Sequence, residues 1–209
     1  MATTRRIMTQ TFQVPTDWKS EKWWRNRSVE ERLFHTRIPT RWAEWSLESL
    51  TVSDRCIEEV TNWVNNYQQG DSLFLYGKTG SGKSIVGQAV LQELVLRNGT
   101  SGRFVSSDRY IDMLKDTFEQ DGGLLPEMYS MPYLLKYIQG VFDVVLLDGV
   151  GQERETDFST HEVGSLIRRR YEDTRSMIIT TTLGTMDFNR RYGDRVKVST
   201  TEMTEIRVS

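Results

Sequence analysis

The sequence predicts an α/β fold, a parallel sheet covered by helices on both faces. Three observations carry that expectation. Short runs apolar at nearly every position recur along the chain, among them Leu73-Phe74-Leu75-Tyr76, Val144-Val145-Leu146-Leu147 and Met177-Ile178-Ile179. Strands buried on both faces read this way, whereas one-sided strands alternate. Segments with apolar residues at helical spacing lie between these runs, and strand–helix alternation builds parallel sheets. The third observation is the junction Gly77-Lys78-Thr79-Gly80-Ser81-Gly82-Lys83-Ser84, which joins one such run to the helix after it.

Taken in order, residues 1–50 differ in character from the rest. They carry Trp18, Trp23, Trp24, Trp42 and Trp45, five of the six tryptophans, among many basic residues, with Pro15 and Pro39 as breaks. Residues 1–17 read as loosely ordered, and a short helix is expected from about Trp18 to Leu33. The aromatics either clamp this extension onto the main domain or, as with Trp23-Trp24 between Lys22 and Arg25, form a partner-binding surface. Residues 51–209 form the second unit. Ser53 is a candidate N-cap for a helix with Ile57, Val60, Val64 and Tyr67 on one face, with Cys56 on its inner side. Gly70-Asp71 leads into the strand at 72–76. The next helix closes near Arg97-Asn98-Gly99. Arg103 to Ser107 is a strand, Asp108 to Phe118 a helix, Asp121-Gly122-Gly123 a loop and Met131 to Ile138 a helix. A strand over Phe142–Asp148 then ends in a carboxylate. A helix with Val163, Leu166, Ile167 and Tyr171 on one face precedes the strand Ser176–Thr181, and alternation over Met203–Val208 permits a last strand.

The 77–84 segment has the form Gly-x4-Gly-Lys-Ser, set after a strand and before a helix as a phosphate loop must be. Its glycines let backbone N–H groups converge on phosphate oxygens. The helix start adds unpaired N–H groups and a partial positive charge at the same point. Gly77, Lys78, Thr79, Gly80, Ser81, Gly82, Lys83 and Ser84 are therefore expected to bind a nucleoside triphosphate. Lys83 would reach the β- and γ-phosphates, and the Ser84 hydroxyl would hold Mg²⁺. Asp148 is the expected second Mg²⁺ residue, the Walker B position, on a strand expected beside the first. The fold expectation sharpens to a P-loop NTPase binding ATP and Mg²⁺.

Composition bounds the rest. A net charge of −2 over 209 residues predicts no affinity for nucleic acid from the molecule as a whole, so any must come from local patches. One cysteine excludes an internal disulfide framework and a cysteine-rich zinc site. With no secretory leader and no apolar run of bilayer length, the expected compartment is the cytoplasm and no membrane partner is expected.

Several stretches together resemble the DnaC/IstB type of AAA+ ATPase, the bacterial and phage replicative helicase loaders and their transposition relatives. Arg37-Ile38-Pro39-Thr40-Arg41-Trp42 is similar to the lead-in of that family. Leu146-Leu147-Asp148-Gly149-Val150-Gly151-Gln152-Glu153 is similar to its "(L/I)(I/L)DDxGxE" signature. Ile167 to Tyr171 resembles its "(I/L)xxRY" helix, Ile178-Ile179-Thr180-Thr181-Thr182-Leu183 its "(I/L)ITSNL", and Gly193-Asp194-Arg195-Val196 its "GxRV". The resemblance covers about 37–200. It implies an AAA+-type core with an abbreviated or absent lid, since only residues 184–209 remain after Leu183. It also implies catalytic roles for Lys83 and Asp148, with Glu153 as the downstream acid and Thr182 at the sensor asparagine.

Two departures bear on turnover. Gly149 stands where the family has a second acid, and Val198-Ser199-Thr200 stands where an arginine acting in trans is common. Arg190, Arg191, Arg195 and the Arg168-Arg169-Arg170 cluster are the substitutes available, the cluster being read chiefly as an inter-subunit contact. Secure ATP binding with weak hydrolysis is the expectation. As the resemblance implies, the chain would bind a replicative helicase through its N-terminal extension and deliver it to single-stranded DNA during replication. It would do so as an ATP-dependent homo-oligomer with nucleotide state as the switch. Lys115, Thr117 and Phe118 would contact the strand, offering charge for phosphate and a ring for stacking; a solvent-facing Lys115 and a core Phe118 are the alternative. The short, zinc-free extension points to a phage or mobile-element origin in a bacterial cell. Two other functions fit the same core: an IstB-like transposition regulator acting on duplex DNA, and a nucleotide-gated adaptor with negligible hydrolysis.

Overall fold

In a computed structural model, the structure describes residues 26–42, 44–119 and 131–209. Five strands form one all-parallel sheet: β1 (Leu73–Tyr76), β2 (Gly102–Ser106), β3 (Val144–Val150), β4 (Ser176–Thr181) and β5 (Thr204–Arg207). Their order across the sheet is β2-β3-β4-β1-β5. The expected last strand is present, as the edge partner of β1. One expectation is corrected. β3 does not run beside β1, because β4 lies between them and pairs with both. Nothing in a strand's own composition encodes its neighbours; the crossover helices set the order.

The continuous apolar character of the strands follows from burial on both faces. Leu73, Leu75, Val144, Leu146, Ile178 and Ile206 face one core. Phe74, Val145, Leu147, Met177 and Ile179 face the other. Helices α2 (Asp54–Asn66) and α3 (Lys83–Asn98) cover the first face, with Cys56, Val60, Trp63, Val90 and Leu94 packed inward. Cys56 is buried, as a small apolar residue on the inner face of its helix. Helices α4 (Ser107–Glu119), α5 (Met131–Gly140), α6 (Asp157–Glu172), α7 (Thr185–Tyr192) and α8 (Asp194–Thr201) lie on the second face. After β4 the chain makes only α7 and α8, which pack on α6, before returning to the sheet as β5. No helical lid stands apart from this layer among the described residues.

The expected helix near the N-terminus is present at its C-terminal part and runs past Leu33. It is α1 (Val29–Thr36), and the part of the expectation before residue 26 lies outside the described residues. A reciprocal box starts it: Glu31 N–H donates to Ser28 Oγ at 3.2 Å, and Ser28 N–H donates to Glu31 Oε2 at 3.1 Å. Arg37 ends it in the left-handed region at φ +57°. Arg32 Nη1 donates to Val95 O at 3.0 Å, which ties α1 to α3. Leu47 and Leu50 belong to the core beneath α3, so the described part of residues 1–50 is packed. Trp18, Trp23 and Trp24 lie outside the described residues, as does the side chain of Trp42; Trp45 is half-buried.

One further boundary falls where expected and another does not. Ser53 occupies the N-cap of α2, but its side chain makes no capping bond there; its N–H donates to Ser209 O at 3.2 Å. β3 continues two residues past Asp148, through a register shift against β4 between Leu147 and Val150.

On α6, Val163, Leu166 and Ile167 are buried as expected, but Tyr171 is exposed and Arg170 is fully buried. Arg170 Nη1 donates to Ile138 O at 2.7 Å. Its Nη2 donates to the carbonyl oxygens of Phe142, Asp143 and Ser176 at 2.8, 3.2 and 2.9 Å. A fully buried arginine that ties α5, β3 and β4 together is not a surface contact, so the reading of the Arg168–Arg170 cluster fails at Arg170. Arg168 and Arg169 remain exposed.

Candidate functional site

The phosphate loop follows β1, and α3 begins at Lys83 with Gly82 as its N-cap. Gly80 and Gly82 have φ of +80° and +92°, values that favour glycine, and a Cβ on Gly80 would meet nothing within 4 Å. At Gly77 the constraint is close approach, since a Cβ there would overlap the carbonyl oxygen of Val208, just beyond β5. Backbone and open space of this kind form an anion-binding concavity at a helix start. Ser81 Oγ is buried without a hydrogen-bond partner. A buried polar atom left unpaired is uncommon and points to a missing ligand.

Lys83 is buried, and its ammonium donates to Lys78 O at 2.7 Å within the loop. Burial pushes its pKa below the usual lysine range, and the charge of Asp148 pulls it back. The two halves of the site thus sense each other although β4 separates their strands. Asp148 Oδ1 accepts a hydrogen bond from Thr180 Oγ1 on β4 at 2.6 Å. That hydroxyl in turn accepts from Gly149 N–H at 2.9 Å. Thr180 therefore aims the Asp148 carboxylate from the intervening strand. The residues fit a nucleotide with Mg²⁺. That ion is held by one or two carboxylates, a hydroxyl and substrate phosphates rather than by an all-protein cage. Ser84 and Asp148 are the donors available for it. Groups of three or more metal-ligating His, Cys, Asp or Glu are absent among the described residues.

The positions after Asp148 are each held by specific neighbours. Gly149 has φ +73°, and its carbonyl accepts from Ser107 Oγ and from Gln152 N–H, both at 2.9 Å. A non-glycine residue held at this φ costs about 1–3 kcal/mol, so an acid at 149 is strained by this backbone as well as absent. Glu153 is buried with both oxygens engaged. Oε2 accepts from Gly151 N–H at 2.9 Å, and Oε1 accepts from Arg191 Nη2 at 3.1 Å and from the Tyr192 hydroxyl. Burial first, then the bond to Glu153, pushes the Tyr192 pKa far up, so it serves as a donor. Thr182 is exposed just past β4, and the hydroxyl that touches Asp148 belongs to Thr180 instead.

Among the arginines, Arg191 is taken up by Glu153, Glu155 and the carbonyl oxygens of Gly151 and Glu153. Arg190 is exposed and paired with Asp187 at 3.1 Å, while the Arg195 side chain lies outside the described residues. Of the three strand-contacting candidates, all on α4, Lys115 is exposed and 3.8 Å from Asp112. Thr117 Oγ1 donates to Leu114 O at 2.6 Å, and the Phe118 side chain lies outside the described residues. No described helix is long and apolar enough to cross a membrane.

Sequence reasoning missed Thr180. It sits inside the "(I/L)ITSNL"-like stretch, but only the β3–β4 register puts it against Asp148.

Comparisons with known proteins agree with this fold. The structure of the DnaC helicase loader superposes with a TM-score of 0.69 at 24% identity, covering 81% of this chain and 99% of that one. DnaI superposes at 0.60 and 21% identity, over 83% of this chain and 96% of that one. AMPPCP-bound DnaA from Aquifex aeolicus reaches 0.62 at 17% identity, over 79% of this chain and 50% of that one. At these identities the likeness establishes the fold. Comparison with curated proteins gives no match. A family profile described as IstB-like ATP binding protein matches residues 18–203. With that profile spanning most of its length, the chain belongs to the IstB-like ATP-binding family, the DnaC/IstB type of AAA+ ATPase.

Proposed function

We propose that this protein is an ATP-binding helicase loader that delivers a ring-shaped replicative helicase to single-stranded DNA, with nucleotide state as the switch. The observation that carries the reading is a phosphate loop whose Ser81 Oγ is buried without a hydrogen-bond partner, at the start of the helix that opens with Lys83. It stands in a fold shared with the DnaC helicase loader over 99% of that chain. In this reading ATP occupies the loop, Ser84 and Asp148 hold Mg²⁺, and the Trp-rich segment before residue 50 engages the helicase. Homo-oligomers form with ATP and present α4, with Lys115, Thr117 and Phe118, to the strand. The pairing of Lys115 with Asp112 makes its electrostatic share small.

A second reading is favoured by Gly149. A backbone that disfavours an acid at that position suits a nucleotide-gated adaptor with negligible hydrolysis. Both readings are tested by pull-down of the full chain with a hexameric replicative helicase in ATP and in ADP, beside Lys83→Ala. Nucleotide-dependent association, lost on removing residues 1–25, is the expected result. Absence of association in every nucleotide state would remove both, and ATP-dependent filaments on duplex DNA would then support a transposition regulator.

A further inference from the structure

We propose that Gln152 positions the attacking water for ATP hydrolysis, in place of the acid absent at 149; the inference rests on ATP occupying the site described above. Backbone geometry is the first ground. Gln152 N–H donates to Gly149 O at 2.9 Å, closing a tight turn directly after Asp148. This turn folds the Gln152 side chain back over Gly149. Its Oε1 lies 3.1 Å, and its Cδ 3.5 Å, from where a Cβ on residue 149 would stand. The amide thus fills the space from which a side chain at 149 would start.

Availability is the second ground. Across 149–153, Val150 is buried in the core and Glu153 has both oxygens engaged. Gln152 is exposed, and among the described residues its side-chain amide makes no hydrogen bond. Asp148 already accepts from Thr180 and is the carboxylate available to Mg²⁺. No other polar side chain of this turn is free to meet a water beside the γ-phosphate.

The chemistry suits an amide. In phosphoryl transfer the nucleophile needs orientation more than deprotonation, and a glutamine performs that task in other phosphate-loop enzymes. Gln152 Oε1 would accept a hydrogen bond from the water. As the water oxygen bonds to the γ-phosphorus, the bond from that phosphorus to the β,γ-bridging oxygen breaks. The electron pair leaves with ADP, and the water proton passes to a γ-phosphate oxygen, giving inorganic phosphate. Gln152 neither gains nor loses a proton.

The test measures steady-state ATPase of the wild-type chain, Gln152→Ala and Gln152→Glu over a range of chain concentrations. Binding of a fluorescent non-hydrolysable ATP analogue is measured on each. Gln152→Ala should lower kcat by about tenfold or more with analogue affinity within about twofold. Gln152→Glu should recover much of that loss and gain a dependence on pH in the carboxylate range that wild type lacks. Wild-type kcat in Gln152→Ala, or kcat and affinity falling together, would overturn the proposal. So would absent wild-type turnover with analogue binding intact, which leaves the ATP site standing and favours the adaptor. Failure of the wild-type chain to bind the analogue would remove the ATP reading itself.

Discussion

Glu153 is a buried acid with both oxygens held by its neighbours. It accepts from Gly151, Arg191 and Tyr192, and its side chain is 1% exposed. Glu153→Gln keeps the volume and removes the charge, leaving the Arg191 guanidinium without its buried counter-ion. Breaking one side of such a pair costs about 3 kcal/mol. An unfolding free energy from urea titration lowered by that amount, with ATP affinity unchanged, is the expected outcome. A variant as stable as wild type but without turnover would make Glu153 catalytic instead. The contrast marks what residues alone reveal. Lys83 and Asp148 are legible because a phosphate loop and a strand-end carboxylate are local patterns. Thr180 is not, because its place depends on which strand neighbours β3. Arg170 is illegible for a second reason: three consecutive arginines look alike until α6 is rotated against the sheet, and one of them faces inward.

At the level of elements, α1 shows how part of the N-terminal segment is held. His35 at its end is buried, and burial first, then the charges of Arg37 and Arg103, lowers its pKa to about 4 from an ordinary 6.5. Between those values the unfolded chain binds a proton that the folded chain does not. Stability is therefore full above about pH 6.5 and falls as pH drops toward 4, by up to about 3 kcal/mol. His35→Gln should flatten that slope when urea midpoints are compared across the window, and an unchanged slope would assign it to other groups. Strands and helices of the core were legible to within a few residues, because burial on both faces writes itself as unbroken apolar runs. Strand order is not legible, and β4 intervenes where the sequence predicts direct adjacency of β1 and β3. Of the helix expected from Trp18 to Leu33, residues 29–33 are helical and 26–28 are not. The capping box at Ser28 and Glu31 is the local signal that sets its start.

For the whole molecule, the sheet gathers the candidate site at the C-terminal ends of its inner strands. The phosphate loop, Asp148, Thr180 and the 149–152 turn come from or follow the C-terminal ends of β1, β3 and β4, which is where open α/β sheets bind ligands. The two cores on either side fix those ends, and Arg170 ties α5, β3 and β4 together at the opposite end. With a net charge of −2, the protein has no general attraction for DNA to offer. Any grip on a strand must therefore come from local patches. The ATP site underlies all of this and is tested most directly by isothermal calorimetry. The full chain is titrated with a non-hydrolysable ATP analogue and Mg²⁺, beside Lys83→Ala. One site per chain, with affinity about tenfold or more weaker in the variant, is the predicted result. No binding by the folded wild-type chain, or equal affinity in folded Lys83→Ala, would contradict it.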